Sequence, residues 1–386
     1  MAYLDHAATT PVRPAARDAW LSQVDVVGNA SSSHSYGRAA RRVLEESRER
    51  VAASLGVDPR HVVFTSGGTE SNNFGIIGTY RARRRREPER RVVIVSEIEH
   101  KSVSETVRSL TLAGAVVETV VCDQSGTVDV DHLESVLDER ANTTALVAVM
   151  WANNEVGTIQ PISAISALCR DRGVPLHSDA VQAVGSVPVS PRLAGTLSLS
   201  GHKFGGPPGT GAVVAANEID PILRGGGQER GQRAGTSNVP GAAGLAVALQ
   251  EAIDNLDAHG SRMRELRDKL TSGITRLVPD AVVNSSATGL PGIAHVTFPG
   301  CPGDAMLMLL DAEGIAVSAG SACSAGVAQP SRVLLAMGAS PEAASQSLRF
   351  SLGWTSTDRD IADVLRVLPD AVSGSRSQGR VAVGSH

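Results

Sequence analysis

The sequence predicts an α/β protein: one large, mostly parallel sheet covered by helices, joined to a smaller α+β region. Two observations predict the sheet. Short apolar runs alternate with helical patterns from His61 to Ala215, the order in which crossover helices connect parallel strands. Several runs, Arg91–Ser96 and Thr144–Trp151 among them, are of the buried type, as expected where both faces of a sheet are covered. The third observation concerns the last third of the chain, where the strand patterns Gly292–Phe298 and Leu348–Gly353 enclose a helix near Gly303–Glu313 and a strand at Ile315–Ser318.

The elements follow in order. A small polar start, Leu4-Asp-His-Ala-Ala-Thr-Thr-Pro11, precedes a helical pattern from Pro14 to Val24 and a loop, Gly28–Gly37. An amphipathic helix from Arg38 to Leu55 stops at Gly56, and Asp58-Pro59 turns the chain into the strand His61–Thr65. Ser66-Gly-Gly-Thr-Glu-Ser-Asn-Asn73 opens the next helix. Its glycines and hydroxyls suit either ordinary capping or a phosphate at the positive end of the helix. Seven arginines between Arg81 and Arg91 are interrupted by Glu87-Pro-Glu89, which reads as a solvated helix end. His100 follows the strand Arg91–Ser96, the side of an α/β sheet where ligands are met.

The alternation continues through the strands Val116–Cys122 and Thr144–Trp151, the second running into Ala152-Asn-Asn-Glu-Val-Gly-Thr158. Helices near Asp131–Glu139 and Ile162–Arg172 lie between the strands, and the strands Val174–Ala180, Thr196–Ser200 and Gly211–Ala215 follow. Gly225–Asn238 is a polar glycine-rich loop, and a long helical stretch spans Val239 to Leu277 with a break at His259-Gly260. Residues 15–260 are expected to form the large domain, and 1–14 with 261–372 the smaller one. The Ser/Gly-rich residues 373–386 are expected to be disordered.

With 386 residues, 42% hydrophobic and 20% charged, the chain has an ordinary globular composition with room for two domains. A net charge of -4 and a pI near 6.2 give no overall drive toward nucleic acid or an anionic membrane. No apolar run approaches the roughly 18 residues of a membrane span, and the amino terminus lacks a basic stretch followed by an apolar one. A cytoplasmic location is therefore expected. Cys122, Cys169, Cys301 and Cys323 are scattered and form no CxxC pair, so neither a disulfide framework nor a metal site is expected.

The chemistry centres on Lys203, in Ser200-Gly-His-Lys203 at the end of a buried strand. Such a lysine either snorkels to the surface or, desolvated, becomes a nucleophilic amine able to carry an aldehyde such as pyridoxal phosphate. Asp179, 24 residues earlier and also at a strand end, is the partner such chemistry requires. It can keep a pyridine nitrogen protonated, so that the ring accepts electrons. The run Gly205-Gly-Pro-Pro-Gly-Thr-Gly211 is not a nucleotide loop, because no Gly-Lys-Ser/Thr closes it.

Taken with these residues, the ordered set Ser66-Gly-Gly-Thr-Glu-Ser71, Glu99-His100, Asn153-Asn-Glu-Val-Gly157, Asp179-Ala-Val-Gln182, Ser200-Gly-His-Lys203, Arg233-Ala-Gly-Thr236, Gly320-Ser-Ala-Cys323 and Arg349-Phe-Ser-Leu-Gly353 resembles the pyridoxal-phosphate-dependent cysteine desulfurases. The resemblance covers nearly the whole chain. It implies a fold-type-I, aspartate aminotransferase-like large domain with a seven-stranded sheet, and a homodimer. It further implies that Lys203 forms the internal aldimine, that Asp179 pairs with the pyridinium nitrogen, and that His100 stacks on the ring and assists proton transfer. Gln182 would donate to the phenolic oxygen. Gly68, Thr69, Ser200 and His202 would contact the phosphate, with Thr236 reaching that of the neighbouring subunit. Asn154 and Arg349 would hold the substrate carboxylate.

By the same resemblance, L-cysteine would become L-alanine through aldimine and ketimine intermediates. Cys323 would take the sulfur as a persulfide for a sulfur-acceptor protein such as an iron-sulfur scaffold. The chain after Leu368 lacks the aromatic-rich ending by which some relatives dock a scaffold. A selenocysteine lyase or another class-V aminotransferase-like enzyme would share Lys203 and Asp179, and Cys323 is the residue that separates them. A metal or sulfur carrier lacks cysteines at ligand spacing.

Overall fold

The computed structural model of the chain describes residues 1–319 and 330–383, the last six of these as backbone only. Twelve strands occur among them: β1 (Ala2–Tyr3), β2 (Val62–Thr65), β3 (Val92–Ser96), β4 (Val116–Val120), β5 (Thr144–Ala148), β6 (Leu176–Asp179), β7 (Thr196–Ser200), β8 (Gly211–Ala215), β9 (Val282–Val283), β10 (Ile293–Thr297), β11 (Ile315–Ala316) and β12 (Ser347–Ser351). Seven of them form the large sheet in the order β2-β8-β7-β6-β5-β3-β4. The pairs from β7 through to β4 are parallel, and β8 alone runs antiparallel to both of its neighbours. The expected mostly parallel seven-stranded α/β sheet is therefore present.

Burial explains why these segments are strands. Every residue of β3, β5, β6, β7 and β8 is buried, so β-branched and small side chains pack against helices on both faces. The helices Pro14–Val24, Gly68–Arg86, Ile162–Asp171 and Val239–Asp254 supply part of that cover. A smaller antiparallel sheet, β12-β10-β9, and the parallel pair β1-β11 lie apart from the large one. They share a separate apolar core that includes Leu4, Leu270, Phe298, Leu310, Phe350 and Leu368.

Two expectations need correction. The break in the long helical stretch falls at Asn255, between Val239–Asp254 and Leu256–Leu277. Gly260 lies inside the second helix, where a glycine costs only about 1 kcal/mol. The tail expected to be disordered from Ser373 continues the last helix, which runs Asp358–Val383. Ala371, Val372 and Ser375 are buried, and Arg376 bonds Asp280 and the Pro299 carbonyl, so tertiary contacts hold a composition that has little helical preference of its own.

The Gly225–Asn238 loop is held by a buried ion pair. Arg48, from the helix Ser35–Leu55, is 2% exposed and forks onto Glu229 at 2.7 and 3.0 Å, while it also donates to the Val62 carbonyl. Glu229 accepts the Phe64 N–H as well, at 3.0 Å. Glu229 and Arg230 both have positive φ, 48° and 56°, so the pair also holds a strained backbone. Arg48→Ala strands a buried carboxylate and is expected to cost about 3–5 kcal/mol in a urea titration. A loss below about 1 kcal/mol would show that the loop is held otherwise.

The arginines of 81–91 are a solvated helix end among acids. Arg85 pairs with Glu218 and Asp220, Arg86 with Glu218, and Arg83 and Arg90 with Glu87.

Candidate active site

Parallel strands end on the same side, and here their carboxyl ends deliver the polar residues. Asp179 closes β6, Ser200 closes β7, and His100 follows β3 and caps the helix Lys101–Leu110. Together with the helix start at Gly68 they line a cavity of about 480 Å³, a size suited to a cofactor plus a small substrate. Gly68, Thr69, His100, Asn154, Asp179, Gln182, Ser200, His202, Lys203 and Arg349 all line it. Thr236 does not. It is exposed and borders a second hollow beside Ser66, Arg233 and Asn238. Cys323 lies outside the described residues.

Lys203 Nζ donates to the carbonyls of Ala7 at 2.5 Å and Ala8 at 2.9 Å. It makes no ion pair among the described residues. Burial first, and then the Arg349 charge, pull its ammonium down to about 8, with Asp179 and Asp5 opposing. At the pH of a cell an appreciable fraction is thus free amine, the nucleophilic form. The rate at which the apoprotein acquires a visible band from added pyridoxal phosphate is expected to rise with pH and level off above about 8. A profile still climbing at pH 10 would mean that Lys203 keeps an ordinary pKa.

Asp179 is 6% exposed and accepts from Asn72 Nδ2 at 2.7 Å and from the Val181 N–H at 3.0 Å. Gln182 Nε2 donates to the Ala7 carbonyl at 2.9 Å, the same oxygen that Lys203 uses. His202 contacts Thr9 through Nδ1 at 3.2 Å, and burial, with the neighbouring Lys203 charge, pushes it down to about 4, so it is neutral. His100, open to the cavity space yet desolvated by its walls, is also lowered. Asp179 raises it, while Lys203 and Lys101 lower it.

Two features form an anion cradle. The Ser200 hydroxyl is buried and has no hydrogen-bond partner among the described residues, an arrangement that is costly unless something else occupies it. Beside it the helix Gly68–Arg86 begins, its first-turn N–H groups adding positive potential. The approach is close enough to require glycine: a Cβ on Gly68 would fall 2.7 Å from Val181 Cγ2, and one on Gly211 2.7 Å from Gly67 Cα.

At the other end Arg349 is 5% exposed. Its Nη2 pairs with Asp5 at 2.8 Å, its Nη1 donates to the Asn154 carbonyl at 2.8 Å, and its Nε has no partner among the described residues. The Arg349 backbone also exchanges hydrogen bonds with Ser318. Beyond the undescribed residues, Ser331 donates to Glu155 at 2.6 Å. Both ends of the segment that contains Cys323 are therefore tied to residues lining the cavity.

Comparison with known proteins agrees with this geometry. The aminotransferase class-V family model matches residues 2–364. An IscS-like cysteine desulfurase of Mycobacterium tuberculosis is 48% identical over all of both chains. The cysteine desulfurase NifS of Azotobacter vinelandii is 39% identical, with 97% of this chain and 93% of that one covered. A solved NifS-like protein superposes with a TM-score of 0.89 at 36% identity, covering 97% of this chain and 100% of that one.

The chain belongs to the class-V aminotransferases, among the cysteine desulfurases.

For a cysteine desulfurase, the residues that the sequence did not single out are those that support others. Asp5 and the Ala7 and Ala8 carbonyls come from the amino terminus and hold Arg349 and Lys203. Asn72 holds Asp179, and Glu155 holds Ser331. Asp5, Ala7 and Ala8 lie in the Leu4–Pro11 stretch with which the resemblance begins, Glu155 lies inside the Asn153–Gly157 motif, and Asn72 is next to Ser66–Ser71, but no role was read for any of them. The remaining thiols are poorly suited to attack. Burial pushes Cys122 and Cys169 up to about 12, the Glu97 carboxylate adding to the effect at Cys122, and burial raises Cys301 too.

Proposed function

We propose that this chain is a pyridoxal-phosphate-dependent enzyme that converts L-cysteine to L-alanine and takes the sulfur onto Cys323 as a persulfide. One observation carries the reading: a desolvated lysine, a buried carboxylate, an anion cradle and an arginine line the same cavity. The orphaned Ser200 hydroxyl and the glycines around it fit a phosphate, and Asp179 fits a pyridinium nitrogen. Gly68, Thr69, Ser200 and His202 would hold the phosphate, Gln182 the phenolic oxygen, and Lys203 the aldehyde carbon. When bound, the cofactor supplies an electron sink for charge developing at the substrate α-carbon.

The chain's own residues do the rest. Arg349, whose Nε has no partner among the described residues, and Asn154 would receive the substrate carboxylate and so orient the amino group toward Lys203. Lys203 Nζ, as free amine, would then take the α-proton. The Cys323 thiolate would attack the substrate sulfur: an S–S bond forms, the C–S bond breaks, the β-carbon keeps the electron pair and gains a proton, and the α-carbon regains the proton it gave up, to give alanine. The test is to add L-cysteine and a thiol reductant to the cofactor-loaded protein and measure both products. Alanine and sulfide in equal amounts are expected, and a yellow protein that forms neither would overturn the reading.

We further propose a homodimer. Thr236 is exposed and lies away from this chain's cavity, which suits a residue that completes the phosphate site of a second copy. The acceptor of the persulfide would be a protein such as an iron-sulfur scaffold. No helix among the described residues is long and apolar enough to cross a membrane, and persulfide chemistry driven by thiols suits the reducing cytoplasm. The large domain would comprise 15–260, and the smaller one 1–14 with 261–372.

A further inference from the structure

We infer that Asn72 is a positioning residue whose single carboxamide, itself oriented by His177, aims the Asp179 carboxylate and, by orienting the Ser102 hydroxyl, adds a second donor to His100 Nδ1. The inference deepens the proposed function and rests on it.

Asn72 is 1% exposed, in the second turn of the helix Gly68–Arg86. Its Nδ2 donates both protons, one to Asp179 Oδ2 at 2.7 Å and one to Ser102 Oγ at 2.8 Å. An ionised carboxylate only accepts, so the amide nitrogen must face Asp179. That leaves Oδ1 toward His177 Nε2, 3.2 Å away, which must be the donor. His177 Nδ1 then accepts from Thr196 Oγ1 at 2.9 Å. The ring is neutral, as the network requires, because complete burial pushes it down to about 3. Gly75 makes room for it: a Cβ there would lie 2.6 Å from the His177 ring.

The chain of bonds continues to His100. Because Ser102 Oγ accepts from Asn72, its own proton is free to point at His100 Nδ1, 2.7 Å away. The Ser102 N–H reaches the same nitrogen at 3.1 Å. With two donors aimed at it, Nδ1 keeps its lone pair, and in the neutral ring the proton sits on Nε2. His100 therefore offers the cavity a donor, and proton abstraction is left to Lys203. A histidine tautomer set by a neighbouring hydrogen bond is the same device that orients metal-binding histidines.

The test reads the apoprotein first. Nitrogen-15 correlation spectra of wild type are expected to show Nε2–H at both His100 and His177, and Nδ1–H at either ring would overturn the inference without any variant. In Asn72→Leu the Ser102 hydroxyl loses the donor that orients it while the Ser102 N–H still faces Nδ1, so Nε2–H should persist at His100 and its Nδ1 resonance should shift toward that of Ser102→Ala. Affinity for pyridoxal phosphate and kcat with L-cysteine should each fall about 10- to 100-fold. Ser102→Ala keeps the backbone donor and should retain Nε2–H at His100. Arg81→Leu, on the same helix and exposed, should match wild type. If wild type turns over cysteine but Asn72→Leu has the same His100 Nδ1 resonance and is within twofold of it in affinity and kcat, this inference fails alone. If wild type never becomes yellow, the proposed function beneath it fails.

Discussion

Lys203→Ala is expected to abolish cysteine turnover, with kcat lowered roughly 10³-fold or more, because the residue proposed as both covalent anchor and base is lost. The environment predicts the size of the effect. Lys203 is held by the Ala7 and Ala8 carbonyls and is depressed to about 8, and His100 and His202, two histidines of the same cavity, are lowered and bonded elsewhere. Neither can take over. Lys203→Arg should do no better, since guanidinium stays protonated and forms no bond to an aldehyde. Single-turnover measurement of alanine checks this. Activity within tenfold of wild type in either variant would show that another group does the chemistry.

Cys323→Ala is expected to have a comparable effect on a different step. The protein should stay yellow and change its spectrum with L-cysteine, yet sulfide and alanine should both fall at least about 100-fold. No other thiol is placed to compensate. Cys169 and Cys301 are buried, and Cys122 is held protonated by burial and by Glu97. Full activity with cysteine in Cys323→Ala would point instead to a lyase, in which the sulfur or selenium leaves without a protein thiol.

Most of the architecture was legible in the chain because it rests on local repetition. Short apolar runs alternating with helical patterns placed all seven strands of the large sheet within a few residues, and strand ends pointed to Asp179 and Lys203. Ends were read too long where a polar loop keeps apolar residues buried: β5 stops at Ala148, although Val149, Met150 and Trp151 are buried beyond it. The helix break at Asn255 and the helical tail were missed because backbone caps and tertiary contacts, not composition, decide them.

The site was legible to the depth of its motifs. His100, Asp179, Lys203 and Arg349 line one cavity, but the residues that hold them were not visible. Asp5 is 344 residues from its partner Arg349, and Asn72 is 107 from Asp179. No local pattern carries that information. The network Thr196–His177–Asn72–Ser102–His100 joins β7 and β6 to the helices Gly68–Arg86 and Lys101–Leu110 and becomes apparent only when the sheet order is known.

The most direct test of the central claim is where the sulfur goes. Cofactor-loaded protein is given one equivalent of sulfur-35-labelled L-cysteine without reductant, then alkylated, digested and mapped. The account predicts one label per active chain, on the peptide containing Cys323, released by a thiol, with an equal amount of alanine. Label on Cys122, Cys169 or Cys301, or alanine formed with free sulfide and no labelled peptide, would contradict it.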